Sequence, residues 1–243
     1  MSVSGSPKLY GGEHVLNILE ASTSSSRVVA LVRHAERFKP APVHRENRET
    51  SGLLLTPEGH VAAKQFGRSL PLGRSLRIFH SSSQRAVETA EDILAGFLER
   101  GVSPPSSLGG VEPLLSTFHG STADEVTQNR LKRELGGGKA LMRAWMDGAV
   151  SPSVLRPASE ARARLLEMMR TRLLSAPKDS LELLISHDFA VILLRDWLFG
   201  VKFEEAAWPV YLDGIVIFER EEGGLTAAWR DRTFAVPPEV THA

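Results

Sequence analysis

Three short stretches gather residues able to hold and attack a phosphoryl group. Residues 28–40, VVALVRHAERFKP, set Arg33 and His34 directly behind five apolar side chains, with Arg37 three residues past the histidine. Residues 80–90, HSSSQRAVETA, carry Arg85, and residues 183–191, LLISHDFAV, carry His187 and Asp188. Arginine's planar fork matches phosphate oxygens, and three forks can hold the equatorial oxygens of a transferring phosphoryl group. A neutral imidazole can attack phosphorus and form a covalent intermediate that water then hydrolyses. Nearby guanidiniums keep it neutral, because a neighbouring positive charge disfavours imidazolium. A carboxylic acid within reach can protonate the leaving oxygen, an effect of ~10²–10⁴-fold. Asp188 sits where such a donor is needed. Taken alone, Arg33-His34 also describes a structural ion pair, and Asp188 a helix N-cap. The repetition of this chemistry in three places favours a site.

The elements around these stretches explain how they could meet. Residues 28–32 read as a strand covered on both faces, 76–83 as a second strand entering a polar turn, and 181–186 as a third. Helices follow each: one from Thr56, an N-cap residue with Pro57 at the first position and Val61, Ala62, Phe66 and Leu70 as its apolar face; then QRAVETAEDILAGFLER; then AVILLRDWLFG. The strand–helix alternation predicts a parallel α/β sheet, in which the carboxyl ends of the strands share one side and bind ligands. Arg33 and His34, Arg85, and His187 with Asp188 all fall at such ends, and the helices opening after Arg85 and Asp188 add backbone N–H groups. Residues 1–26 read as a tail with a short helix in EHVLNILEA. Residues 101–160, rich in Gly and Pro, read as an irregular excursion with two short helices over one edge of the sheet. The helix SEARARLLEMMRTRLL restores the rhythm, and two strands near 209–218 and 225–230 finish it.

Composition narrows the function classes. The 243 residues are 42% hydrophobic and 24% charged, with Lys+Arg and Asp+Glu both 29, so net charge is zero. That balance argues against a nucleic-acid binder with a broad basic face, while allowing a local cationic pocket. The absence of cysteine excludes disulfides, thiol nucleophiles and Cys-based zinc sites. No secretory signal and no run of about 18 apolar residues is seen, so the expectation is a cytoplasmic protein with no membrane partner. GGGKA at 136–140 lacks the P-loop pattern, because Arg133 and Ala140 stand where glycine and Ser/Thr are needed. No His and carboxylate set has metal-ligand spacing. His44, Arg45 and Arg48 read as a solvated charged loop, and His119 as a turn residue.

These motifs together resemble the histidine phosphatase superfamily, which includes the phosphoglycerate mutases and the histidine acid phosphatases. LVRHAER is similar to its Arg-His signature, with Ala35 where glycine is usual. LTPEGHVAAKQFGRSL resembles the following helix. HSSSQRAVETA matches at Ser81, Arg85, Ala86, Thr89 and Ala90, with Ser82 replacing the usual proline, and LLISHDFAVILLRDWLFG resembles the segment of the second histidine. The resemblance implies a three-layer α/β/α sandwich with a mostly parallel central sheet over residues 27–243, and an insertion at about 101–160 above the active site. It makes His34 the phosphorylated nucleophile, with Arg33, Arg85 and His187 forming the phosphate pocket. Mutase-like members take their proton donor from a glutamate that falls at Thr117 here. Acid-phosphatase-like members use an aspartate after the second histidine and an extra arginine three residues past the nucleophile, as Asp188 and Arg37 stand here. The resemblance therefore favours Asp188 as donor, with Glu112 as the fallback. The implied function is a metal-independent phosphomonoester hydrolase without a cofactor, acting on a small phosphorylated substrate, with a phosphoprotein as the alternative. The rival readings are a phosphoglycerate mutase-type phosphotransferase and a non-catalytic phospho-ligand-binding regulator. The pattern is silent on oligomeric state.

Overall fold

Strand β1, Arg27–Arg33, is buried from Val28 to Val32, and β4, Ser180–Ser186, along its whole length. Such runs carry no polar alternation because helices cover both faces of the sheet. The computed structural model describes residues 11–22, 27–39, 53–101, 106–116, 118, 121, 123–204, 206–220 and 222–237. Its seven-stranded sheet has the order β3-β2-β4-β1-β5-β6-β7. β2 (Ser75–His80) and β3 (Ser107–Val111) run parallel to β4 and β1, while β5 (Gly214–Glu219), β6 (Leu225–Trp229) and β7 (Arg232–Val236) form an antiparallel meander against β1.

The two faces of β1 feed two separate cores. Val28, Ala30 and Val32 pack with Phe66 of α2 (Pro57–Ser69) and Ile93 of α3 (Gln84–Leu98). Val29 and Leu31 pack with Leu166 of α6 (Ala158–Ser175) and Val191 of α7 (Asp188–Phe199). This is the three-layer sandwich expected from the sequence. Helix α1, Gly12–Ala21, joins the first layer through Val15, Ile18 and Leu19, whose helical spacing puts them on one face. The segment read as a tail thus contributes to the core.

Three readings need adjustment. Residues 107–111, placed in the irregular excursion, are the edge strand β3; its Gly109 leaves room for the Phe79 ring, and its exposure gives it no apolar pattern. The excursion's two expected short helices are α4 (Glu125–Glu134) and α5 (Gly138–Met146), the latter packed through Trp145 with Ile192 of α7. Val61 is 54% exposed, and Ala63 takes its place on the buried face of α2. The chain also adds β7 after a tight turn at Arg230, which has φ 54°; residues 232–235 are exposed and lack a strand's apolar signature.

Register decides the site. Arg33 of β1 lies opposite Ser186 of β4, and His80 of β2 opposite Ile185. The three strands end level, so His34, Ser81 and His187 emerge side by side. The ladder continues one step further, with His34 N–H donating to Ser186 O (2.9 Å) and Ser81 N–H to Ile185 O (3.1 Å).

Candidate active site

His34 is 3% exposed, and its ring is held from both sides. Arg85 Nε–H donates to Nε2 at 3.1 Å, so the proton is on Nδ1, which donates to Ala35 O at 2.7 Å. Thr89 fixes this turn: its Oγ1 accepts from Ala35 N–H (3.0 Å) and donates to Arg85 O (2.6 Å). His187 takes the opposite tautomer. Arg85 Nη2 donates to its Nδ1 (3.1 Å), and its Nε2–H donates to Ser81 Oγ (2.9 Å), itself bonded to Ser83 Oγ (3.0 Å). The two imidazoles thus turn their lone pairs toward one guanidinium, with ring centroids 5.5 Å apart. Burial, then His187, Arg85 and Arg33, hold the His34 pKa well below its ordinary value. Burial and the arginines push His187 down to about 3. Both rings are therefore neutral near pH 7.

Arg33 and Asp188 form the second half of the site. Arg33 Nη2 lies 3.1 Å from Asp188 Oδ2, Arg33 Nη1 donates to Pro209 O (2.5 Å), and the guanidinium covers the Tyr211 ring at 4.4 Å. Asp188 also accepts from Trp208 Nε1–H (2.9 Å) and from Phe189 N–H (3.0 Å). Burial alone would raise the Asp188 pKa, but Arg33 and the Trp208 hydrogen bond outweigh it and hold the carboxyl below its ordinary value. Arg37 is half-buried beside these groups, its strand-like bridge to Leu55 steadying the backbone, and burial lowers its pKa.

All six residues singled out from the sequence, Arg33, His34, Arg37, Arg85, His187 and Asp188, line one cavity of ≈ 410 Å³. Glu112 does not. It pairs with Arg172 at 2.5 Å and borders a different groove along α6. Thr117, His119, His44, Arg45 and Arg48 lie outside the described residues. Several cavity residues carried no signal of their own: Trp208, from the segment between α7 and β5, and Lys132 and Gln128, from α4. Gly138, from the rejected GGGKA motif, also lines the wall. Among the described residues no group of three or more His, Cys, Asp and Glu could hold a metal ion, and no helix is long and apolar enough to cross a membrane.

Solved structures share the fold at low identity. The Bacillus stearothermophilus protein YhfR is 20% identical, with a TM-score of 0.53 over 88% of this chain and 98% of that one. A mycobacterial glucosyl-3-phosphoglycerate phosphatase is 17% identical, with a TM-score of 0.52 over 84% of this chain and 99% of that one. A protein described as mycobacterial hydrolase 1 is likewise 17% identical, with a TM-score of 0.53 over 84% and 98% of the two chains. A comparison with curated proteins gave no match. The family described as histidine phosphatase superfamily (branch 1) matches residues 29–232, from β1 to the start of β7. That span holds every strand end described above, and the chain belongs to this superfamily of phosphoryl-transfer enzymes.

Proposed function

We propose that this protein is a phosphomonoester hydrolase working through a phosphohistidine on His34. The observation that carries this reading is the neutral His34 ring, whose Nε2 lone pair meets Arg85 at 3.1 Å on the arginine-lined cavity. Arg33, Arg37 and Arg85 would hold the phosphoryl oxygens, and His187, whose Nε2–H goes to Ser81 Oγ and whose Nδ1 keeps a lone pair, would join them on taking a proton, which a bound dianion favours. Nε2 attacks phosphorus as the P–O ester bond breaks, and the leaving oxygen takes a proton from Asp188. Water then attacks the phosphohistidine, Asp188 takes the water's proton, the P–N bond breaks, and inorganic phosphate leaves. Asp188 is ionised near pH 7, because Arg33 and the Trp208 hydrogen bond hold its pKa down. A phosphate dianion seated on Arg33 competes for that cation and, as a like charge, raises the Asp188 pKa, which readies it to carry a proton. The cavity is of a size typical of small-molecule sites, roughly 300–1,000 Å³, which favours a small phosphorylated substrate over a phosphoprotein. A fold relative named as a glucosyl-3-phosphoglycerate phosphatase agrees with that class.

The test is turnover of 4-nitrophenyl phosphate by purified protein, with acid-quench trapping of an acid-labile phosphoprotein. Turnover in EDTA and loss of both signals in His34→Ala are expected. Undiminished turnover in His34→Ala would overturn the reading, and a requirement for 2,3-bisphosphoglycerate would turn it toward a mutase.

A further inference from the structure

The cavity holds more cations than a phosphate ester needs. Arg33, Arg37, Arg85 and Lys132 line it against a single carboxylate, Asp188. A phosphate dianion and Asp188 together supply three negative charges, which leaves one of the four cations without a counter-charge. Asp188 and the strand-end phosphate position account for the arginines. Lys132 is the residue left over, and among the described residues it pairs with no carboxylate.

The backbone that carries Lys132 is also held in place. Lys132 lies one helical turn past Gln128 on α4, so both face the cavity. The start of α4 is capped by Asp124, which accepts from Thr127 N–H at 2.7 Å, and Gln128 Nε2 donates to Ala123 O at 2.9 Å. Lys132 O accepts from Gly137 N–H at 2.7 Å, closing the turn into α5. Its stem crosses Gly138 where the Phe189 ring also approaches: a Cβ at 138 would sit 3.2 Å from Lys132 Cε and 4.0 Å from Phe189 Cζ. Phe189 follows Asp188 in the chain and stacks edge-on with Phe118 and Trp208, at 5.6 and 5.7 Å. The cavity therefore carries the Phe189 ring, next to Asp188, on the side where the Lys132 stem passes Gly138.

We propose that the cavity selects phosphate esters whose leaving group carries a second anionic group, a carboxylate or further phosphate, engaged by Lys132. This inference rests on the phosphatase reading and extends it to the substrate's other end. Lys132 is exposed, so salt screens its contribution, and a modest selectivity is expected.

The test compares phenyl phosphate with its 3-carboxylate, 4-carboxylate and 4-carboxymethyl derivatives in the wild type, Lys132→Met and Lys132→Arg. Dividing wild-type by Lys132→Met values for each ester cancels its intrinsic reactivity. At least one carboxylate should show a kcat/KM ratio about 1.5- to fivefold above that of phenyl phosphate, mainly through KM. Lys132→Arg should keep the preference, and 0.5 M NaCl, with a Debye length of only a few ångströms, should erode it. A ratio equal for all four esters, or a preference that persists in Lys132→Met, would overturn the proposal. Calorimetric binding of the same esters to His34→Ala reads the selectivity without turnover. An inactive wild type would thus count against the phosphatase reading and leave this comparison intact.

Discussion

Arg33 Nη2 stands 3.1 Å from Asp188 Oδ2, so the groups assigned to grip phosphate and to donate a proton neutralise each other. Substrate binding must divide that pair, giving Arg33 to the phosphate and leaving Asp188 beside a second negative charge. Asp188→Asn keeps the shape and removes the proton carrier. Its kcat/KM should fall by about 10²–10⁴-fold for alkyl phosphates and by less than about tenfold for 4-nitrophenyl phosphate, whose leaving group needs little protonation. Equal losses for both would mean that Asp188 acts by positioning Arg33.

The opposite tautomers of His34 and His187 give a pH prediction with a definite sign. Both pKa values are depressed, His187 to about 3, so both rings stay neutral as pH falls through 6.5. Nitrogen chemical shifts at pH 5.5 should show a neutral Nδ1–H ring for His34 and a neutral Nε2–H ring for His187. An imidazolium signal from either would contradict the hydrogen-bond assignment. The unfolded chain binds these protons near pH 6.5 and the native state does not, so stability must fall as pH drops below that value. Each histidine contributes up to ~1.4 kcal/mol per pH unit. Thermal unfolding from pH 7.5 to 5 checks the sign.

What the sequence disclosed and what it concealed follow from how local each signal is. β1 and β4 were readable because burial on both faces demands unbroken apolar residues, and a level register then carries Arg33, His34 and His187 to one place. β3 was hidden because an exposed edge strand with two glycines has neither period nor β-branched side chains. Trp208 and Lys132 reach the cavity through the path of the segment before β5 and the placement of α4, which no neighbouring residue encodes. The charge state of Asp188 was equally out of reach, since it depends on Arg33 and Trp208 meeting it from two other elements. Glu112 looked available as a donor only while Arg172, sixty positions away, was unplaced.

Arg85 serves both imidazoles through one fork, with Nε on His34 and Nη2 on His187. Lysine at this position would keep the charge and lose that geometry. Arg85→Lys should lower kcat by about 10²–10³-fold, the loss typical of removing one preorganised donor from a developing charge. Near-normal kcat in this variant would show that positive charge alone suffices and that the fork is dispensable.

Gly59 links helix packing to the nucleophile. A Cβ at this position would lie 2.1 Å from Glu36 O, in the segment that carries His34, and the same carbonyl accepts from Thr56 N–H at 2.9 Å. Thr56 in turn caps α2 by accepting from Gly59 N–H at 3.0 Å. Gly59→Ala must therefore push residues 34–37 away from α2, because the atoms it meets are all Glu36 backbone and none is the end of a flexible side chain. The expected cost is about 1–3 kcal/mol, as for other overpacked sites, or roughly 2–4 °C of Tm per kcal/mol in a chain of this size. Thr56→Ala removes the cap without the clash and should cost about 0.5–2 kcal/mol. The two variants separate stability from alignment: at equal folded fraction, Gly59→Ala should have the lower kcat, since it alone displaces the backbone on which His34 is mounted. A Gly59→Ala protein with wild-type Tm and kcat would show that the Glu36 carbonyl can yield, and that the nucleophile's position does not depend on its contact with α2.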